Sequence, residues 1–222
     1  EAGRMWVATF HSVCVRILRQ QAQLVPGLNT NFTIYDSDDS RRLLGMIAKD
    51  FNLDLKKFTP RTLANGISNL KNELVGPERA LADAERTHNP FETTVAKVYA
   101  EYQRRLRQSN ALDFDDLIGE VVRIFKEHPQ VTDYYRRRFR HVLVDEYQDT
   151  NHAQYELIHT LVGDGPDAPE LAVVGDSDQS IYAFRGATIR NIEEFERDYP
   201  NASTIMLEQN YRSTQNILGA AN

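Results

Sequence analysis

Two adjacent carboxylates, Asp145 and Glu146, follow the apolar run His141-Val142-Leu143-Val144 in the segment that ends at Thr150. A parallel strand that stops at such a pair delivers both acids to the carboxyl edge of a sheet, where open α/β proteins bind their ligands. Phosphoryl transfer uses two acidic roles side by side. Asp145 could hold Mg²⁺, directly or through water, while Glu146 polarises a water for attack. The same residues could equally form an acidic strand-to-loop turn on the surface. A second acidic strand end, Val173-Val174-Gly175-Asp176-Ser177-Asp178-Gln179, repeats the pattern one crossover later. Gln179 both donates and accepts, so it could link a γ-phosphate or attacking water to a moving part of the protein. Its alternative is a polar turn capped by Asp176.

Other residues offer contacts rather than proton chemistry. In Ile181-Tyr182-Ala183-Phe184-Arg185-Gly186 the rings of Tyr182 and Phe184 lie two apart, so an extended backbone points both one way and Arg185 the other. Bases stack on such rings for about 1–3 kcal/mol each without regard to sequence; the competing reading is an aromatic core pair. Tyr211 and Arg212 stand at a strand-to-helix transition before Ser213 and Thr214. Arg212 could neutralise a transferring phosphate, Tyr211 could stack on an adenine, and Ser213 or Thr214 serves as a helix cap. Thr9-Phe10-His11-Ser12 forms the matching turn near the other end, where hydroxyls, an imidazole and free amides could hold a nucleic-acid phosphate or simply cap a helix. The arginines at 104, 105 and 107 and at 136, 137, 138 and 140 read as solvated helix faces offset by nearby acids.

The elements that must position these groups follow from periodicity. Met5 to Phe10 predicts a short strand, and Val13 to Leu24 an amphipathic helix with Arg16, Arg19 and Gln20 on its wet side. From Asn29 to about Gln108 the pattern turns helical, with start signals at Asp36-Ser37, Thr59-Pro60 and Asn89-Pro90 and no strong strand. It reads as a helical insertion between two parts of an α/β domain. A further helix runs through Leu117, Val121, Ile124 and Phe125 and stops before Pro129. Strands at Val142 to Asp145, Leu171 to Gly175 and Thr204 to Leu207 then alternate with helices near Ala153 to Leu161 and Ile189 to Arg197, which predicts a parallel sheet.

Composition narrows the class. The 222 residues are 41% hydrophobic and 26% charged, as in an ordinary globular chain. A net charge of −6 excludes a uniformly basic nucleic-acid binder and leaves phosphate contacts to local clusters and amides. The single cysteine, Cys14, sits in an apolar helical pattern with Val13, Ile17 and Leu18, which predicts a buried, inert thiol. No apolar run approaches the roughly 18 residues of a membrane span and no signal peptide opens the chain, so a cytoplasmic setting without a membrane partner is expected.

Taken together, the motifs Thr9-Phe10-His11-Ser12, Leu112-Asp113-Phe114-Asp115-Asp116-Leu117, Val144 to Asn151, Val174-Gly175-Asp176 with Gln179 to Tyr182, and Gln209 to Thr214 closely resemble the UvrD/Rep/PcrA-type superfamily-one DNA helicases. The resemblance covers nearly the whole chain. It implies a motor that uses ATP and Mg²⁺ to move along single-stranded DNA and open duplex junctions, in DNA repair or replication and with protein partners from those processes. It also implies a partial RecA-like domain (1A) at residues 1–28 and 111–208, a helical insert (1B) at 29–110 and the start of a second RecA-like domain (2A) at 209–222. By resemblance, Asp145 binds Mg²⁺, Glu146 activates water, Gln179 senses the γ-phosphate, Arg212 contacts it, and Tyr211 lies near the adenine. Thr9, Phe10, His11, Ser12, Tyr182, Phe184 and Arg185 match DNA-contacting positions. Relatives commonly carry Trp where this chain has Phe184, a smaller ring that still stacks. The chain contains no Gly-x-x-x-x-Gly-Lys-Ser/Thr phosphate loop. An interior fragment of a longer helicase, inactive toward ATP by itself, is therefore expected.

Two other functions compete. One is a non-catalytic DNA-binding or interaction module, against which stand the retained Asp145-Glu146 pair and Gln179. The other is a metal-dependent nuclease built from Asp113, Asp115, Asp116, Asp145 and Glu146, although acids at a helix start also serve the helix dipole without any metal.

Overall fold

The computed structural model describes residues 5–165, 168–176 and 195–207, with 209, 211, 214 and 216. Helix α1, Phe10–Gln21, starts where the Thr9 hydroxyl accepts the Ser12 amide and ends in a 3₁₀ turn, Ala22–Leu24. Its periodicity holds as predicted: Cys14, Ile17 and Leu18 are buried, and Arg16, Arg19 and Gln20 are exposed. Burial raises the Cys14 thiol pKa far above its ordinary value, keeping it an inert thiol. The strand expected at Met5 to Phe10 does not form; Phe10 joins α1 and the preceding residues are irregular. A strand exists only by pairing, and this segment is instead anchored by Trp6, edge-on to Tyr135 and Phe139.

Four helices follow: α2 Ser37–Asp50, α3 Pro60–Asn72, α4 Pro77–Arg86 and α5 Pro90–Gln108. The predicted starts at Asp36, Thr59 and Asn89 are all N-caps whose side chains accept backbone amides. These helices share one apolar cluster, with Leu44, Ile47, Leu63, Tyr102 and Leu106 at its centre. The helical stretch is entered through β1, Thr33–Tyr35, and left through β2, Ala111–Asp113, which pair in parallel from Thr33↔Ala111 to Tyr35↔Asp113. β1 was not expected, because three residues are too short to carry a periodic signal.

A second apolar cluster joins α1 to α6 Phe114–Glu127, α7 Pro129–Arg138 and α8 His152–Val162. Pro129 ends α6 as predicted, yet it also begins α7, which the pattern did not predict. A proline at the first helical position loses no hydrogen bond and arrives with the right φ.

Strands β3, His141–Val144, and β4, Glu170–Val173, pair in parallel with Val144 opposite Val173, α8 forming the connection between them. An apolar run such as His141 to Val144 suits a strand covered on both faces, but among the described residues β3 is covered on one face only. Val142 and Val144 face a cluster with Ile158 and Val162 of α8, while Leu143 on the other face is 77% exposed. Strand side chains alternate between faces, and among the described residues elements pack on only one of them. The strand expected at Thr204 to Leu207 is also absent, its residues being irregular and exposed. Of the helix expected at Ile189 to Arg197, Phe195–Arg197 is helical and the rest lies outside the described residues. Among the described residues no helix is long and apolar enough to cross a membrane.

Candidate active site

The carboxyl ends of β3 and β4 lie side by side, so both acidic strand ends leave the sheet at one edge. Asp145 and Glu146 are exposed there. Glu146 has a left-handed backbone, φ 49°. Among the described residues the other four non-glycine residues with positive φ, Asn52, Leu74, His88 and Asn110, each follow a helix C-cap, where that conformation closes the last turn. Glu146 has no such reason. It lies between the end of β3 and the 3₁₀ turn Tyr147–Asp149, and non-glycine residues held this way concentrate at functional sites.

Hydrogen bonds hold the turn. The Glu146 amide donates to Asp145 Oδ1 at 2.9 Å. The Tyr147 amide donates to the Val174 carbonyl and the Val174 amide to the Val144 carbonyl, stitching the turn to β4. Gln148 is 1% exposed. Its Nε2 donates to Glu146 Oε2 at 2.6 Å, and its Oε1 accepts the Asp176 amide at 3.0 Å. Asn151 then caps α8 and donates to Asn72 Oδ1 of α3 at 3.0 Å.

The arrangement can present two carboxylates of different character. Asp145 offers oxygens at an open strand end, and Mg²⁺ is commonly held by one or two carboxylates together with substrate phosphates and waters. The donor set fits that ion. Glu146, fixed by backbone and side-chain contacts, can accept a proton from a water placed beside it.

At the start of α1, Thr9 Oγ1 and Ser12 Oγ are 3.1 Å apart and both residues are exposed. Phe10 turns inward and packs against two of the apolar clusters. His11 meets Phe114 edge-on at 5.6 Å, and Phe114, the first residue of α6, is 44% exposed. The described candidates thus fall into two groups, the acids at the sheet edge and the Thr9 to Ser12 turn beside Phe114. Gln179, Tyr182, Phe184, Arg185 and Arg212 lie outside the described residues, and Tyr211 is 91% exposed.

Asp113 and Asp116, weighed above as nuclease ligands, are buried under Lys71 of α3, whose Nζ lies 2.6 Å from Asp113 Oδ2 and 2.8 Å from Asp116 Oδ1. The Tyr102 hydroxyl donates to Asp113 and Gln103 Nε2 to Asp116. Asp113 also caps α6 with Asp116 in a reciprocal box. Burial raises the Asp113 carboxyl to about 6, with the Asp116 charge adding to that and Lys71 opposing it. Burial pushes Asp116 upward too, but Lys71 and Arg107 hold it below the usual carboxylate range. Burial alone would lower the Lys71 pKa; its two acids more than reverse this and leave it raised. The cluster therefore joins α3 to α6 as a structural ion group. Beside it, Asp36, Ser40, Arg61, Tyr102 and Phe114 line a cleft of about 590 Å³ that does not include Asp145 or Glu146. The first arginine run is offset as expected, Arg104 and Arg105 binding Glu101 and Arg107 binding Glu120, whereas in the second Arg136 pairs with Asp133 and Arg138 lies over the Trp6 ring.

Sequence reasoning missed Gln148, Phe114 and Lys71. Gln148 carried one signal, a polar side chain two residues past a candidate catalytic acid. Phe114 carried another, an aromatic among acids at a helix start. Lys71 carried none, since its partners lie far along the chain.

A family description of the UvrD/REP helicase N-terminal domain matches residues 1–200. The chain is 67% identical over 226 residues to the ATP-dependent DNA helicase UvrD1 of Mycobacterium tuberculosis (strain ATCC 25618 / H37Rv), covering 100% of this chain and 29% of that protein. It is 51% identical over 222 residues to the ATP-dependent DNA helicase PcrA of Staphylococcus aureus (strain NCTC 8325 / PS 47), covering 100% of this chain and 30% of that protein. The chain thus spans less than a third of the length of these relatives.

Proposed function

The chain belongs to the UvrD/REP helicase N-terminal domain family, and on that premise we propose that the complete protein is an ATP-dependent DNA helicase. It couples ATP hydrolysis to movement along single-stranded DNA and to unwinding at duplex junctions, in repair or replication. The observation that carries the reading is the Asp145-Glu146 pair at the end of β3, with Glu146 in a left-handed backbone and its carboxylate held by Gln148.

In this reading Glu146 takes the proton of the attacking water, and its fixed aim lowers the cost of reaching the attack geometry. Asp145 would hold Mg²⁺, and the ion would supply positive charge that offsets the charge of phosphoryl transfer. Gln179 reports the γ-phosphate, Arg212 neutralises it and Tyr211 packs on the adenine. Thr9, His11 and Ser12 face the DNA backbone, Phe114 joins them as a stacking ring, and Phe10 shapes the turn from beneath. Tyr182, Phe184 and Arg185 complete the DNA path. Residues 1–28 and 111–208 form the 1A domain, 29–110 the 1B insert and 209–222 the entry to 2A. The 222 residues contain no phosphate-loop pattern, so hydrolysis is assigned to the complete protein.

Glu146→Gln in the complete protein tests this. It keeps the shape and removes the base, so DNA-stimulated ATP turnover should fall by a factor on the order of 10²–10⁴ with nucleotide affinity retained. Unchanged turnover overturns the reading.

A further inference from the structure

We propose that Gln148 is a positioning residue for hydrolysis: its side-chain amide clamps the Glu146 carboxylate to the end of β4, so the neighbouring strand sets the aim of the acid. The inference rests on the reading of Glu146 as the group that activates water.

Gln148 is buried to 1% exposure and spans the two strand ends with both of its polar atoms. The partners fix which way the amide lies. A carboxylate needs a donor and a backbone N–H needs an acceptor, so only Nε2 toward Glu146 and Oε1 toward Asp176 satisfies both. A flipped amide would oppose two acceptors at one end and two donors at the other. The contact to Glu146 is a charge-assisted bond of 2.6 Å, the stronger class of hydrogen bond. Gln148 is buried while Glu146 is exposed, so water is kept from the amide end of that bond and reaches only the carboxylate end.

Gly175 keeps the other end in place. A β-carbon there would lie 3.0 Å from Gln148 Oε1 and 3.3 Å from its backbone nitrogen, so any side chain pushes on the clamp. The Tyr147 to Val174 and Val174 to Val144 backbone bonds surround the same point. A shift of the β4 end, where Asp176 begins the segment leading to Gln179, therefore passes through one side chain to Glu146. Without the clamp Glu146 keeps its backbone strain but its carboxylate is free to rotate.

The test uses the complete protein and DNA-stimulated ATP turnover. Gln148→Met keeps length and apolar bulk while removing both polar contacts. It should lower kcat by about 10- to 100-fold, the scale of a misplaced catalytic group, with KM for ATP and the thermal midpoint little changed. A merely structural role would move the midpoint and leave kcat alone, and that result overturns the proposal. Gly175→Ala leaves Gln148 and Glu146 chemically intact and should give a smaller fall of the same kind; it carries the test alone should Gln148→Met not fold. The double variant should be no slower than Gln148→Met, since both act through one clamp; additive losses overturn the proposal. If Glu146→Gln leaves turnover unchanged, the assignment of Glu146 fails. If Glu146→Gln abolishes turnover and Gln148→Met does not reduce it, the clamp alone fails.

Discussion

Replacing Lys71 by methionine should strip the junction between α3 and α6 of its only buried cation among the described residues, leaving Asp113 and Asp116 facing each other. Lys71 Nζ sits at 2.6 and 2.8 Å from the two carboxylates. At an effective dielectric of about 20 each contact is worth roughly 6 kcal/mol before desolvation is counted. Burying three ions offsets most of that, so the intact cluster adds little net stability. Removing one partner is different, because the remaining charges stay buried without compensation, at a cost of roughly 3–5 kcal/mol. The two acids can relieve part of this by taking up a proton, Asp113 first, since its carboxyl is already raised to about 6. We therefore expect Lys71→Met to lower the thermal midpoint by roughly 6–20 °C for a domain of this size. The loss should localise: amide hydrogen exchange should accelerate first in α3 and at the start of α6. The triple variant Lys71→Met, Asp113→Asn, Asp116→Asn should recover part of the midpoint, because it removes the orphaned charge along with the cation. A shift below about 1 kcal/mol, the range of exposed ion pairs, would refute the buried-cluster argument.

Two further outcomes follow from the same geometry. Asp113 titrates near 3.9 when unfolded and near 6 in the fold, so the stability it contributes is fully present below about pH 4 and lost as pH rises through about 6. Asp113→Asn should remove that component, and the difference in midpoint between it and the unaltered protein should change with pH across this window; a constant difference contradicts the assignment. Phe114→Ala should weaken binding of labelled single-stranded DNA by about 1–3 kcal/mol, one stacked base, while leaving the dependence of affinity on salt unchanged because no charge is lost. Unaltered affinity removes Phe114 from the DNA path.

Much of this protein was legible because the relevant signals are local. Helix caps satisfy amides two or three residues away, so Asp36, Thr59 and Asn89 announce their helices in sequence. Apolar periodicity placed α1 and α6, and the order of the motifs gave the family. Strand burial was not legible in this way. Four apolar or ring residues describe a strand's preference, but whether one face or two is covered depends on which elements arrive, and Leu143 is exposed for that reason. The strand expectations at Met5 to Phe10 and Thr204 to Leu207 failed on the same point, since a strand is a relation between two segments. Gln148, Lys71 and Phe114 gained their roles only from folding. Their partners are brought together by the sheet register of β3 with β4 and by the packing of α3, α5 and α6, contacts that span up to dozens of residues. Sequence determined which groups can do chemistry; the tertiary structure decided which of them are held still, and by what.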